Sequence, residues 1–156
     1  MRSKTSEWFE CKVQYEKVME DGRQKKVTEL YTVDALSFTD AEARIIEEMS
    51  AYISGEYEVK DIKKAKYKEI WFSDDEMADR FYKTKIQFYS IDEKTGKEKR
   101  SNFVCIVQAC TLNDAIKGVD EMMGGTTIDY TSVEAKETKI MDVIEYKPNY
   151  SKEEAE

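Results

Sequence analysis

Histidine is absent from this chain of 156 residues, and cysteine occurs only three times. Without histidine, the Ser-His and Cys-His nucleophile pairs, histidine metal ligands and the histidine pH switch are excluded. Cys11, Cys105 and Cys110 include no C-x-x-C spacing, and an odd number cannot all pair within the chain. The apolar, strand-like surroundings of Cys11 and Cys105 predict buried thiols. We therefore expect neither a metal nor a cofactor.

Proline and glycine are also scarce, with one and six residues, which leaves most of the chain available for regular structure. No apolar run approaches the ~18 residues that a membrane span needs. The first eight residues, Met-Arg-Ser-Lys-Thr-Ser-Glu-Trp, contain no apolar signal core. We therefore expect a cytoplasmic protein that does not enter a membrane.

The sequence contains an internal repeat. Residues 33–41 read Val-Asp-Ala-Leu-Ser-Phe-Thr-Asp-Ala, and residues 107–115 read Val-Gln-Ala-Cys-Thr-Leu-Asn-Asp-Ala, at an offset of 74 residues. The same offset relates Gly22 and Gly96, Met49 and Met123, Val59 and Val133, Ile70 and Ile144, and Phe72 and Tyr146. The first strands align one residue closer, which a single inserted residue in the hairpin explains. Apolar positions match apolar positions throughout, and this predicts an internal duplication.

Each copy begins with a predicted hairpin. Alternating apolar residues around an Asp-Gly turn predict strands at 8–18 and 25–34. The second copy repeats this pattern at 82–91 and 100–108, with Gly96 in the turn.

A helix and a closing strand follow each hairpin. Ser37 and Thr111 are predicted N-caps, because each precedes an aspartate by three residues and then an apolar stripe at helical spacing. Gly124 is expected to end the second helix. The closing strands are predicted at 57–72 and 130–146.

These elements predict an α+β fold with mainly antiparallel sheet and two helices packed on one side. The predicted boundaries are a first unit at 1–72, an acidic linker at 73–79, a second unit at 80–147 and a disordered acidic tail at 148–156. We expect the two units to share one core.

Two segments carry a resemblance to a known family. The segments 8–17 (WFECKVQYEK) and 33–43 (VDALSFTDAEA) resemble an uncharacterised domain family of gut Bacteroides-type bacteria and their phages. The likeness extends from Trp8 to about Tyr146. It carries no assigned activity and transfers no site. It implies a cytoplasmic or phage-encoded protein, which a mobile element can carry.

Charge is sorted along the chain, whose formal net charge is −8. Basic residues concentrate at both hairpin tips and in the closing strand of the first copy, whereas the first helix and the tail are acidic. If the basic stretches share one side of a sheet, they can follow the phosphates of a single-stranded nucleic acid, and tyrosine rings can stack on unpaired bases. The candidate contact residues are Arg23, Lys25, Lys26, Lys63, Lys64, Lys66, Tyr67, Lys68, Lys97, Lys99 and Arg100.

Other interpretations remain open. Lysines on edge strands also serve to prevent aggregation between sheets. A protein-interaction module can engage a host or phage protein through exposed strand edges or acidic helices. An enzyme can use carboxylates such as Asp74, Asp75 and Glu76, or Glu47 and Glu48. We rank binding without catalysis first, with single-stranded nucleic acid ahead of a protein partner and the enzyme third. The sequence assigns no oligomeric state.

Overall fold

The computed structural model describes residues 1–146, so the predicted tail at 148–156 lies outside the described residues. Within that range the chain forms strands and two helices, which confirms the α+β class. The elements in chain order are β1 (Arg2–Thr5), β2 (Trp8–Val18), β3 (Gln24–Asp34), α1 (Phe38–Tyr52), β4 (Tyr57–Lys64), β5 (Glu69–Phe72), β6 (Arg80–Ile91), β7 (Glu98–Ala109), α2 (Leu112–Met123), β8 (Asp129–Glu137) and β9 (Ile140–Ile144).

The elements fall into two compact units, each with one sheet and one helix. The α1 unit comprises Glu7–Lys64 and the segment that begins at Asp142, and its sheet has the strand order β4-β2-β3-β9. The α2 unit comprises Met1–Ser6 and Ala65–Met141, and its sheet has the order β1-β5-β7-β6-β8. The helices therefore lie on two different sheets.

The predicted closing strands are each two strands, and the two strands belong to different sheets. The segment 57–72 divides into β4, which pairs with β2, and β5, which pairs in parallel with β7. The segment 130–146 divides into β8 in the α2 unit and β9 beside β3 in the α1 unit. The first break coincides with the charged run Lys63-Lys64-Ala65-Lys66. Each hairpin thus has one neighbouring strand from its own half of the chain and one from the other half.

This exchange of strands differs from the predicted division at 1–72 and 80–147. Residues 73–79, predicted as a linker between the halves, form a loop that joins β5 to β6 within the α2 unit. β1 was not predicted, because its sequence, Arg-Ser-Lys-Thr, has no apolar alternation. It pairs with β5 from Arg2 opposite Phe72 to Thr5 opposite Glu69.

Both hairpins form at the predicted positions. Gly22 and Gly96 have positive φ angles of 83° and 67°, a backbone conformation that glycine adopts without steric cost. Residues 19–23 join β2 to β3, and residues 92–97 join β6 to β7, so the second connection is one residue longer. The extra residue accounts for the change of offset between the first strands of the two predicted copies.

Both helices begin at the predicted caps. The Ser37 hydroxyl accepts a hydrogen bond of 3.1 Å from the Asp40 amide, and the Thr111 hydroxyl accepts one of 3.1 Å from the Asp114 amide. α2 ends at Met123 and has Gly124 as its C-cap. Each cap satisfies an amide that the helix leaves without an internal partner.

Each unit has its own cluster of buried side chains between its sheet and its helix. The α1 unit buries Phe9, Cys11, Val13, Tyr31, Val33, Ala35, Ala41, Ile45 and Met49. The α2 unit buries Trp71, Tyr82, Ile86, Cys105, Val107, Ala109, Ala115 and Val119. The apolar stripe predicted along α1 comprises Phe38, Ala41, Ile45, Met49 and Tyr52; its three central residues are buried, whereas Phe38 is 55% exposed and Tyr52 is 66% exposed. No helix within residues 1–146 is long and apolar enough to cross a membrane.

Candidate functional site

The basic residues predicted in the α1 unit lie at opposite ends of β2. Lys25 and Lys26 on β3, next to Arg23 in the turn, are opposite Lys17 and Glu16. Lys63 and Lys64 on β4 are opposite Glu10 and Phe9. The eight residue steps from Phe9 to Lys17 span about 27 Å at about 3.4 Å per step. The structure therefore does not bring these two groups of charges together.

Acidic neighbours accompany most of these positive charges. The Lys64 ammonium lies 3.1 Å from Glu7, and the Arg23 guanidinium lies 3.5 Å from Asp21. Lys63 is directly opposite Glu10 across the strands, and Lys26 is directly opposite Glu16. Alternating charges of this kind produce a solvated surface without a continuous positive track.

The predicted contacts in the α2 unit are also divided. Lys97, Lys99 and Arg100 lie at the β6–β7 turn, where Arg100 contacts Glu98 at 3.6 Å and lies 5.1 Å above the Tyr89 ring. Lys66, Tyr67 and Lys68 precede β5. Tyr67, predicted to stack on a base, is buried and only 5% exposed, which leaves its ring little surface for such a contact.

The acidic residues considered for catalysis lie in the loop between β5 and β6 and on α1. The Asp75 carboxylate accepts a hydrogen bond of 2.9 Å from the Met77 amide, and the Ser73 hydroxyl accepts one of 3.1 Å from the Asp75 amide. Glu47 and Glu48 are exposed on α1. No group of His, Cys, Asp or Glu side chains among the described residues has a metal-binding arrangement.

A groove lies between α1 and β4 in the α1 unit. Its cavity has a volume of about 420 Å³ and is lined by Phe38, Thr39, Glu42, Val59, Lys60, Asp61 and Ile62. Val59 and Ile62 are partly buried and pack against the core, while Phe38 stands on the rim with its ring centroid 5.0 Å from that of Phe9. We call this surface the α1–β4 groove. Its apolar lining was missed in the sequence, because Val59 and Ile62 stand in a strand dominated by charge.

The α1–β4 groove runs beside the edge of a sheet. β4 is an outer strand, and within residues 1–146 its only partner in the sheet is β2. An outer strand presents a row of backbone N–H and C=O groups that can pair with a further strand. Leu36, two residues before Phe38 in the chain, is 84% exposed. The groove thus combines backbone hydrogen-bonding groups with an apolar wall.

A second cavity lies at the C-terminal end of α1 and reaches the beginning of β4. Its volume is about 810 Å³, and its lining is Gln14, Tyr15, Glu16, Val18, Gln24, Lys26, Ser54, Gly55, Glu56, Tyr57 and Glu58. It forms where β2 continues past Tyr15, the last residue that β4 pairs with. The Tyr57 hydroxyl is fixed by the Ser50 hydroxyl at 2.8 Å and the Ile46 carbonyl at 3.1 Å. We call this space the Tyr15 cavity.

Polar side chains also lie in the interior of the α1 unit. Glu29 is 8% exposed, and its carboxylate accepts a hydrogen bond of 3.3 Å from the Tyr31 hydroxyl. Burial, together with the hydrogen bond to Glu29, raises the pKa of Tyr15 to about 12. Burial and the nearby Glu29 charge also raise the pKa of Tyr31. Both phenols therefore remain protonated donors at neutral pH.

The thiols show no nucleophilic activation. Burial raises the pKa of Cys11 to about 12 and that of Cys105 to about 11. Burial and a contact of 3.5 Å with the Asp75 carboxylate raise the pKa of Cys110 as well. The thiolate is the reactive form, so these positions do not favour covalent chemistry.

Comparisons with known proteins give one relationship. No curated protein and no solved structure matches the chain. The sequence model described as a domain of unknown function, DUF4494, matches residues 7–146, which contain both the α1–β4 groove and the Tyr15 cavity. The protein therefore belongs to the DUF4494 family.

Proposed function

We propose that the protein is a non-catalytic protein-binding module that adds an extended segment of its partner to the outer edge of β4. The observation that carries the proposal is the position of β4, an outer strand whose partly buried Val59 and Ile62 open into the α1–β4 groove. Strand addition of this kind uses main-chain hydrogen bonds for affinity and side-chain cavities for specificity.

The expected contributions to the binding free energy correspond to a moderate affinity. Each new main-chain hydrogen bond contributes about 0.5–1.5 kcal/mol, and burying one apolar side chain contributes about 1.5–3 kcal/mol. Association costs at least about 4 kcal/mol in lost freedom of motion. A short segment with one apolar anchor against Phe38 is therefore expected to bind in the micromolar to millimolar range.

Single-stranded nucleic acid is the less favoured ligand. The lysines at 25–26 and 63–64 are separated along β2, and acidic side chains lie beside or opposite several of the basic ones. The net charge of −8 also opposes a phosphate backbone. If the chain is phage-encoded, as the sequence resemblance implies, a host protein in the cytoplasm is the expected partner.

Selection from a library of random peptides tests the proposal. We expect enriched peptides to share an apolar position and to lose at least about tenfold in affinity for Phe38→Ala, because that side chain forms the rim of the groove. Leu112→Ala is the matched control, since Leu112 is also the first residue of its helix and is 44% exposed. A library that yields no binder, or binders that are weakened equally by both substitutions, contradicts the proposal.

A further inference from the structure

The outer strand β4 exposes acidic and basic side chains in a fixed order. Its sequence is YEVKDIKK, and the side chains of Glu58, Lys60, Asp61, Lys63 and Lys64 are exposed. Within residues 1–146, Asp61 and Lys63 form no ion pair. A strand that is added to this edge lies beside these charges, so its own charges decide whether the pairing is stable.

A β-bulge sets the directions of the side chains in β4. The pairing of β4 with β2 shifts by one residue between Val59 and Asp61, so Lys60 is the additional residue. Val59 and Ile62, three residues apart, therefore both pack against the core instead of facing opposite ways. Beyond them, in both directions from the bulge, the next residue is charged and lies on the opposite face of the sheet. It is acidic on one side of the bulge and basic on the other.

We infer that the edge of β4 pairs with β4 of a second copy of this chain, antiparallel, about a two-fold axis that passes through the bulge. An axis perpendicular to the sheet places each residue opposite the one equally distant on the other side of the bulge, and keeps both side chains on the same face. Both α1 helices then lie on one face of the joined sheet, and the two α1–β4 grooves, each with its exposed Phe38, adjoin. This inference rests on the proposed function, because it names an occupant of the same edge.

The opposed side chains in this register are complementary: one apolar pair, two pairs of opposite charge and one ring beside a cation. The pairs are Val59 with Ile62, Glu58 with Lys63, Lys60 with Asp61, and Tyr57 with Lys64. Cross-strand pairs of these kinds stabilise a sheet, whereas like charges opposite each other destabilise it. Moving the axis to Ile62 would place Val59 opposite Lys64 and carry Glu58 past the end of β4. The charges therefore favour one register of self-pairing.

The outer strand β8 of the other sheet lacks this complementarity. It lies next to β6, as β4 lies next to β2, and it has the same kind of bulge, at Val133. When β8 is paired with itself about that bulge, its charged residues are opposite neutral ones, with Glu134 opposite Val133 and Lys136 opposite Thr131. A bulged outer strand in this fold therefore does not by itself produce the pattern of β4.

The self-pairing is expected to be weak and reversible. A single pair of short strands forms a small interface, and small interfaces are typical of transient complexes. We expect a dissociation constant on the order of hundreds of micromolar. In dilute solution the edge of β4 is then open to a segment of another protein, whereas at high local concentration the second copy competes for it.

Sedimentation equilibrium of the full-length protein, from about 10 µM to about 1 mM, measures the self-association, and we expect a monomer–dimer equilibrium. Lys63→Glu and Glu58→Lys should each weaken it at least about tenfold, because each reverses one member of a charge pair that occurs twice in the dimer. Lys136→Glu, an exposed position on β8, is the matched control and should leave it unchanged. A protein that stays monomeric throughout, or that the control weakens equally, overturns the inference.

A mixture of the two variants tests the register. Lys63→Glu and Glu58→Lys each place like charges opposite each other in their own dimers. A dimer that contains one copy of each variant has opposite charges at both places. We therefore expect the equimolar mixture to form a heterodimer about as tightly as the unchanged protein dimerises, and the double variant Glu58→Lys with Lys63→Glu to dimerise again. Substitutions that only damage the fold give no such recovery. Absence of recovery in either the mixture or the double variant overturns the assigned pairing.

The two proposals fail separately. If the protein dimerises through Glu58 and Lys63 but the peptide library yields no binder, β4 pairs only with its own copy and the capture of a separate partner is wrong. If peptides bind through Phe38 and the protein stays monomeric, the docking of a partner stands and the pairing with a second copy is wrong.

Discussion

Ile70 of β5 lies beside Ile106 of β7 in parallel register, and both side chains are fully buried. β5 follows β4 in the chain, yet its partners β7 and β1 are in the α2 unit. The same exchange places β9 next to β3. The two halves of the sequence therefore depend on each other through backbone hydrogen bonds as well as through side chains.

A cleaved chain should reveal this dependence. With a protease site in place of residues 74–77, which form a loop, cleavage separates β5 from β6 without removing either strand. We expect the fragments to remain associated in native size-exclusion chromatography and to separate only in denaturant, because β5 stays paired with β7. Fragments that elute separately under native conditions contradict the exchange of strands.

The core of the α2 unit should not tolerate a charge. Val119 is fully buried, and Val119→Asp places an unpaired carboxylate against the sheet at a cost of about 3–5 kcal/mol. A small protein has only about 5–15 kcal/mol of stability in total. Urea denaturation checks this, with Ile116→Asp as the control, because Ile116 is 37% exposed on the same helix. Equal losses for the two variants contradict the assigned core.

Stability should fall in alkaline solution. The pKa of Tyr15 is raised from 10.0 to about 12 in the folded protein, so its stabilising contribution is complete below pH 10 and is lost as pH rises toward 12. Cys11, raised from 9.0 to about 12, and Cys105, raised to about 11, act in the same direction from about pH 9. Urea melts at pH 8, 10 and 11 check the trend, and Tyr15→Phe should reduce its slope. A stability that rises over this range contradicts the burial of these groups.

Oligonucleotide binding should be weak. Fluorescence anisotropy with a labelled single strand at about 50 mM salt and about 50 µM protein detects even nonspecific binders. Because the basic side chains lie in separate groups and have acidic side chains beside or opposite them, we expect no saturable binding of the oligonucleotide. Saturation that falls steeply with salt, and that Lys64→Glu with Lys66→Glu abolishes, would restore the nucleic-acid hypothesis over the protein-binding one.

Local signals in the sequence predicted the local structure. Asp21-Gly22 marked the first hairpin turn, and Ser37 and Thr111 marked both helix starts, because turns and caps depend on a few adjacent residues. The division of 57–72 into two sheets was not predicted. It depends on which distant strand pairs with β5, and strand pairing is not encoded in the apolar pattern of one segment.

The candidate site was less accessible to prediction. The sequence shows Val59 and Ile62 among charged residues, but only the sheet order places β4 at an edge beside α1. Glu29 stands in the alternating pattern of β3, where the opposing apolar Val13 signals burial in principle. The burial of Tyr67 was not predicted, because a ring between lysines is typical of an exposed segment and its burial depends on tertiary packing.

Amide hydrogen exchange on a complex with a library-selected peptide tests the central claim most directly. Strand addition at β4 protects its backbone N–H groups, so exchange at residues 57–64 should slow on binding, with little change at the outer strand β8, residues 129–137. Slower exchange at 57–64 that is lost with Phe38→Ala is the predicted result. Unchanged exchange at 57–64 in a saturated complex, or protection confined to 129–137, contradicts the account.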